Sequence, residues 1–296
     1  MPTERVSFIN NRGYQLSAKI DLPLKRNPYP FVIFAHVFTG NKNLIASKHI
    51  SRALTMNGFG VLRFDFTGLG ESEGDFADTN FSSNVEDLEA AADYITKEYM
   101  APSVIVGHSL GGAAAIFAAS KIESIKAVVS IGSPSYPEHV AHLLSEKREE
   151  IEKNGIAQVN IGGRQFTIKK QFLDDLQDQK HTEVIKNLNK AILVMHSPQD
   201  RIVEIKNAEN IYKLAKHPKS FVTLDGADHM LSNKKDAHYA GNVIASWVKR
   251  YIEFPVIQKL ETDKQVVVRL EGDDYTTEIQ AGDHSLVADE PESFGG

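Results

Sequence analysis

Short apolar runs recur along the chain at Phe31 to Ala35, Gly60 to Phe66, Ser103 to Val106, Ala127 to Ile131, Ala191 to Met195 and Ser220 to Leu224. Most lack alternation and are too short for helices, a combination that suits strands buried on both faces. Between them lie Ile45 to Met56, Val85 to Tyr99, Gly111 to Ser120, Glu204 to Lys216 and Asp236 to Tyr251, whose spacing predicts helices. Strands alternating with helices imply right-handed crossovers, a parallel sheet and helices on both faces. Upstream, Arg5 to Ile9 and Tyr14 to Leu22 flank Asn10-Asn11-Arg12-Gly13, which predicts an opening antiparallel hairpin. The pattern therefore predicts an α/β architecture around a mostly parallel eight-stranded sheet.

That rhythm breaks between Ser133 and Lys190. The segment reads as a charged helix around His139 to Lys153, a hairpin at Ile156 to Ile168 turning at Gly162-Gly163, and a helix near Gln171 to Gln179. An interruption between two sheet strands predicts a small inserted lid, about residues 134–190, over one end of the sheet. After Pro255, Lys264 to Leu270 and Tyr275 to Gln280 flank the turn signal Gly272-Asp273-Asp274, which predicts a C-terminal β-hairpin tail. An isolated hairpin is marginal in water, so the tail is expected to pair with the main domain or another chain, a homodimer through the tail being one arrangement.

Charge removes several function classes. Lys and Arg number 33 against 39 Asp and Glu, for a formal net charge of -6, and no basic stripe tracks a phosphate backbone; nucleic acid is excluded as a partner. No apolar run is long enough to span a bilayer and Met1 to Asn11 lacks signal-peptide features, so a cytoplasmic enzyme without membrane association is expected. The chain contains no cysteine, which removes disulfides, a cysteine nucleophile and Cys-ligated zinc. Dinucleotide-binding spacing, a phosphate loop and a two-histidine zinc helix are absent, so neither cofactor nor metal is implied.

The chemistry concentrates at Ser103 to Gly112, SVIVGHSLGG, where Gly107, Ser109 and Gly111 form GxSxG between a predicted strand and a predicted helix. That context is what a nucleophile elbow requires, and the flanking glycines let the backbone turn sharply around a strained serine. A serine hydroxyl needs an adjacent base, itself oriented by a third group. His229, in the loop after the last predicted strand, is the favoured base, with His36 and His196, each also ending a strand, as competitors. His108 cannot readily turn back onto Ser109 and is placed beside the pocket instead. Asp200, beyond the strand Ala191 to Met195, is the favoured acid, with Glu204, Asp225 and Asp228 as substitutes; its alternative task is capping the next helix. The order Ser, Asp, His matches elbow-bearing hydrolases. An oxyanion hole needs two N–H donors, for which the amides of Leu110 and Phe38 are the candidates. Pocket candidates are Val37, His108, Leu143, Phe166 and Phe172.

Five motifs together, FAHVFTGNK (Phe34 to Lys42), RFDFTGLGESEG (Arg63 to Gly74), GHSLGG (Gly107 to Gly112), SPQDRIV (Ser197 to Val203) and GADHML (Gly226 to Leu231), make residues 1–253 resemble cytoplasmic α/β-hydrolases of the esterase type fused to a C-terminal OsmC-like domain. The resemblance implies an α/β-hydrolase fold, a Ser109-Asp200-His229 triad, an oxyanion hole from Phe38 and Leu110, and cleavage of short-chain acyl or aryl esters. Acyl transfer, peptide hydrolysis and carbon-carbon bond hydrolysis use the same triad, and a silent binding domain shares the fold. Residues 254–296 resemble the opening strands of the OsmC-like domain and are expected to stop short of its reactive cysteines. One departure stands out. The family's oxyanion loop usually begins His-Gly, whereas Val37 follows His36 here, which predicts a narrowed or displaced site.

Overall fold

In the computed structural model, which describes residues 2–24, 28–137, 144–177, 181–254, 263–270 and 277–288, the predicted alternation folds into one eight-stranded sheet. Its strands are β1 (Thr3–Ile9), β2 (Gln15–Asp21), β3 (Phe31–Ala35), β4 (Gly60–Phe64), β5 (Val104–His108), β6 (Ala127–Ile131), β9 (Ala191–His196) and β10 (Lys219–Thr223), in the order β1-β2-β4-β3-β5-β6-β9-β10. The β1–β2 and β2–β4 pairings are antiparallel and the remainder parallel.

Strands β3, β4, β5, β6 and β9 are buried at every position, which is why their sequences lack polar alternation. Side chains still divide between the two faces. Phe31, Ile33, Ile105, Val128 and Ile192 face α2 (Phe81–Glu98) and α3 (Leu110–Lys121), and also α7 (Lys206–Leu214). Val32, Phe34, Val104, Val129 and Leu193 face α1 (Ile45–Met56) and α8 (Lys234–Val248). The edge strand β10 alternates in exposure and marks where the doubly covered core ends.

Helix α2 begins at Phe81, earlier than the apolar periodicity indicates. Asn80 accepts a hydrogen bond from the Ser83 amide at 2.8 Å while the Ser83 hydroxyl accepts from the Asn80 amide at 2.9 Å, a reciprocal cap that satisfies two free donors. Helix α3 is buried from Leu110 through Ala119, so its small residues let it lie directly on the sheet.

Between β6 and β9 the chain forms α4 (Arg148–Asn154), a separate two-stranded sheet of β7 (Ile156–Ile161) and β8 (Arg164–Lys169), α5 (Lys170–Gln177) and α6 (His181–Asn187). The hairpin turns at Gly162 and Gly163, with φ of +60° and +82°, a conformation that favours glycine. The charged helix expected over His139 to Lys153 is confined to its C-terminal part among the described residues, and α6 is an addition to the predicted elements. The apolar face of this insertion closes on the main core. Phe166 packs edge-on against Phe76 at 5.0 Å, and Phe172 lies 5.4 Å from Phe38.

The C-terminal strands β11 (Val266–Leu270) and β12 (Thr277–Ala281) pair as a hairpin, and β13 (His284–Ala288) adds a third antiparallel strand through a turn at Gly282. The predicted turn at Gly272-Asp273-Asp274 lies outside the described residues. Val266, Val268, Leu270 and Leu286 are exposed among them.

Candidate active site

Ser109 lies between β5 and α3 with φ of +55°, one of few non-glycine residues in the left-handed region, and its backbone N–H donates to the Ile131 carbonyl at 2.8 Å. The strain persists because backbone from neighbouring segments packs directly against the flanking glycines and holds the turn. A Cβ at Gly107 would sit 2.2 Å from the Gly111 carbonyl oxygen, and one at Gly111 would sit 2.3 Å from the carbonyl oxygen of His36. The glycine spacing in the sequence is thus the record of three backbone segments in close contact.

The β10–α8 loop brings His229 to the serine, with Nε2 3.0 Å from Ser109 Oγ. On the opposite edge of the ring, Nδ1 donates to Asp200 Oδ2 at 2.7 Å, which leaves Nε2 free to take the serine proton in the neutral imidazole. Asp200 also accepts N–H bonds from Ile202 and Val203, each at 2.9 Å, through Oδ1. Burial pushes the Asp200 carboxyl up, but the His229 bond and the two amides outweigh it, and its pKa lies below the usual aspartate value. The capping alternative for Asp200 is not met: α7 (Lys206–Leu214) has Ile205 at its N-cap with no side-chain cap, and the Asp200 carboxylate instead closes the turn to Val203 while orienting His229.

The competing histidines are buried and already committed. His36 Nδ1 donates to its neighbour Val37's carbonyl at 2.8 Å and Nε2 accepts from the Phe66 amide at 3.4 Å, a neutral ring whose pKa burial depresses to about 4. His196 Nε2 donates to the Val203 carbonyl at 2.7 Å and buttresses the Asp200 loop. His108 Nε2 donates to the His229 carbonyl at 2.7 Å. Burial, with the nearby His229, lowers its pKa to about 3. Glu204, Asp225 and Asp228, the substitute acids, have no hydrogen bond to the His229 ring among the described residues; Asp225 accepts from Gln199 and Asp228 from Ser232.

The other side of the site is the β3–α1 loop. Gly40 N–H donates to the Val37 carbonyl at 2.9 Å, Thr39 adopts φ of +57°, and no acceptor among the described residues takes the Phe38 or Leu110 N–H. Val37 is buried without a positive φ, so a β-branched residue fits the backbone there. Its bulk is absorbed at Gly40, where a Cβ would sit 2.8 Å from Val37 Cγ2. The loop is tied down by charged groups that lie within two of the quoted motifs but carry no assigned role in the sequence. Lys42 Nζ contacts Asp65 Oδ2 at 2.5 Å and Glu71 Oε2 at 2.6 Å, its amide donates to Asp65 Oδ1 at 2.6 Å, and Arg63 donates to its carbonyl at 2.7 Å while pairing with Asp21.

A cleft of about 400 Å³ opens onto Ser109 and His229, walled by Val37, Phe38, Leu44, Ile161, Ile202 and Met230, with Thr39, Asn41 and Arg164 as its other polar lining. Of the pocket candidates, Val37 lines it. His108 does not, because its ring is turned under the His229 loop; Phe166 and Phe172 do not, because they are buried in the aromatic contacts between insertion and main core. Leu143 lies outside the described residues. Arg164, Ile202 and Met230 carried no sequence signal beyond their nearness to a turn or to the triad. No cluster of potential metal ligands occurs among the described residues, and no described helix is long and apolar enough to cross a membrane.

Known proteins resemble this chain in sequence and fold. The family model described as serine aminopeptidase S33 matches residues 27–153. The solved esterase domain of a Rhodothermus marinus protein is 45% identical, with a TM-score of 0.70 over 85% of this chain and 99% of that one. Est1E from Butyrivibrio proteoclasticus, solved with ferulic acid bound, shares the fold at 23% identity and a TM-score of 0.69, covering 83% of this chain and 99% of its own. The mitochondrial palmitoyl-protein thioesterase of Mus musculus is 24% identical over 217 residues, 71% of this chain and 72% of the relative.

Proposed function

The chain belongs to the α/β-hydrolase family, among serine hydrolases of the esterase and thioesterase-like kind, and on that premise we propose that it cleaves carboxylic esters with short-chain acyl or aryl groups through an acyl-enzyme. The observation that carries this reading is the continuous hydrogen-bonded row from Ser109 Oγ through His229 to Asp200, open to a cleft beside two uncommitted amides. Ser109 Oγ attacks the ester carbonyl carbon while His229 Nε2 takes its proton. The Phe38 and Leu110 N–H groups receive the developing oxyanion, for which such donors are worth roughly 3 to 4 kcal/mol each. The tetrahedral intermediate collapses, the C–O bond to the alcohol breaks, and His229 returns the proton to the leaving oxygen. Water then repeats the sequence on the acyl-serine and releases the acid. Asp200 holds the imidazole tautomer and stabilises the imidazolium throughout.

The 45% identity to an esterase domain supports an ester as substrate, and the apolar cleft walls support a short acyl or aryl group. Residues 134–190 are read as the lid of this site within a 1–253 hydrolase unit, with 254–296 as the OsmC-like strands. Ser109→Ala is expected to lower kcat for p-nitrophenyl butanoate by at least about 10⁴-fold and to abolish fluorophosphonate labelling, with an unchanged circular-dichroism melt. Retained turnover would refute the assignment. A panel adding thioesters, amides and acyl acceptors separates hydrolysis of esters from the other reactions that the triad supports.

A further inference from the structure

Among the residues lining the cleft, Arg164 alone carries a permanent charge. It sits where the β7–β8 hairpin turns, paired in register with Ile161, so that the tip of the insertion places a cation and an apolar side chain together at the mouth. Its guanidinium is held from two sides: Nη1 donates to the Thr39 carbonyl at 3.2 Å, and the group lies 4.9 Å from the centre of the Phe166 ring. Those contacts orient the side chain without neutralising it. No carboxylate among the described residues pairs with Arg164, in contrast to Arg63 and Lys42 nearby in the fold, both of which are matched by acids. One of the five N–H donors of a guanidinium is used by Thr39, which leaves most of a fork suited to a planar carboxylate.

We propose that Arg164 makes this cleft select esters that carry a carboxylate remote from the scissile bond, the apolar walls holding the intervening chain or ring and the guanidinium taking the acid. The inference rests on the ester-hydrolase reading and deepens it. With a formal net charge of -6, the chain as a whole repels anionic substrates, so a preference for them has to come from a local cation. A guanidinium already positioned by a carbonyl and a ring loses less freedom on binding than a free surface arginine.

The test uses the full chain and matched substrates at low ionic strength. On the acyl side, the p-nitrophenyl hemi-esters of adipic and suberic acid are compared with p-nitrophenyl hexanoate and octanoate. On the alcohol side, 4-(carboxymethyl)phenyl butanoate is compared with 4-ethylphenyl butanoate. The ratio of kcat/KM, anionic over neutral, is expected to exceed about 5 in at least one arm for the unaltered protein and to shrink in high salt. It should drop to about 1 in Arg164→Gln, fall below that in Arg164→Glu, and survive in part in Arg164→Lys. Because each ratio is taken within one variant, a general loss of activity cancels. Ratios at or below 1 in both arms for the unaltered protein, or ratios untouched by Arg164→Gln and Arg164→Glu, overturn the inference while neutral-ester turnover leaves the ester-hydrolase reading standing. A folded chain that hydrolyses none of the esters overturns both.

Discussion

The two loops that face each other across the cleft are held by different physics. The elbow between β5 and α3 contains no charged side chain; its conformation follows from backbone approaches that exclude a Cβ at Gly107 and Gly111. The loop after β3 is held by charge: Lys42, 1% exposed in its side chain, joins Asp65 and Glu71, and Arg63 joins Asp21 and the Lys42 carbonyl. A steric constraint announces itself in the sequence as spaced glycines, even where the opposing backbone, as the His36 carbonyl at Gly111, comes from another segment. An electrostatic one needs partners brought from elsewhere, here 23 and 29 residues away, and no spacing rule in the sequence pairs them. The site therefore joins a turn held by close backbone contact to one held by buried ion pairs.

The difference can be broken most severely at the elbow. Gly111→Ala is expected to lower kcat by more than about 10³-fold, because relieving the contact with the His36 carbonyl displaces both Ser109 and the Leu110 amide. Steady-state kinetics on soluble variant, insensitive to added salt, would mark the constraint as steric; near-normal kcat would show that the elbow tolerates what the geometry forbids.

A smaller loss is expected at the charged loop. Lys42→Met leaves Asp65 buried without its cation and should destabilise the fold by roughly 3 to 5 kcal/mol in urea denaturation. It should also reduce kcat about 10²-fold through displacement of the Phe38 donor, with KM less affected. Adding Asp65→Leu to Lys42→Met removes the stranded charge and should recover much of the stability, since a well-packed apolar pair can replace a buried ion pair. Failure of the second substitution to recover any would mean that the pair acts through packing rather than charge.

The smallest effect concerns a property that the two loops share, a buried neutral histidine in each. His36 and His108, with pKa values lowered to about 4 and 3, remain unprotonated in the fold, whereas in the unfolded chain histidine takes a proton near 6.5. Between those values the unfolded state binds more protons, so stability rises with pH across the window and is lost as the pH falls from about 6.5 toward 4. His181, buried against Phe117 and lowered to about 4, adds to the same slope. Urea midpoints measured from pH 7 to pH 5 should decline, and His36→Gln and His108→Gln should each reduce the pH slope by about one proton. An unchanged slope in either variant would show that its histidine titrates normally.

Several features outside the site show the same division between local and distant causes. The strands of the parallel sheet and the β7–β8 hairpin could be read from apolar runs and paired glycines. The start of α2 is not legible in the apolar periodicity because it depends on the Asn80–Ser83 cap. Strand β13 is not legible in the sequence because its short His-Ser-Leu-Val-Ala run is weakly apolar and is marked on one side only, by Gly282. Phe166 and Phe172 are pocket candidates because they lie in the insertion expected to cover the site. In the fold, each finds an aromatic partner at about 5 Å, and burial against the main core takes precedence over lining a solvent-facing cleft.

By itself, the sequence determined the alternating sheet and the glycine-flanked turn, and it singled out Ser109, Asp200 and His229 as candidates, because apolar periodicity, glycine spacing and position after a strand are all properties of neighbouring residues. Only the tertiary structure decided that Asp200 and His229 meet at 2.7 Å, that Lys42 anchors the facing loop, and that Arg164 reaches the mouth of the cleft. Each of those outcomes depends on where separate segments come to rest, which the packing of the sheet and its insertion sets and no local run of residues encodes.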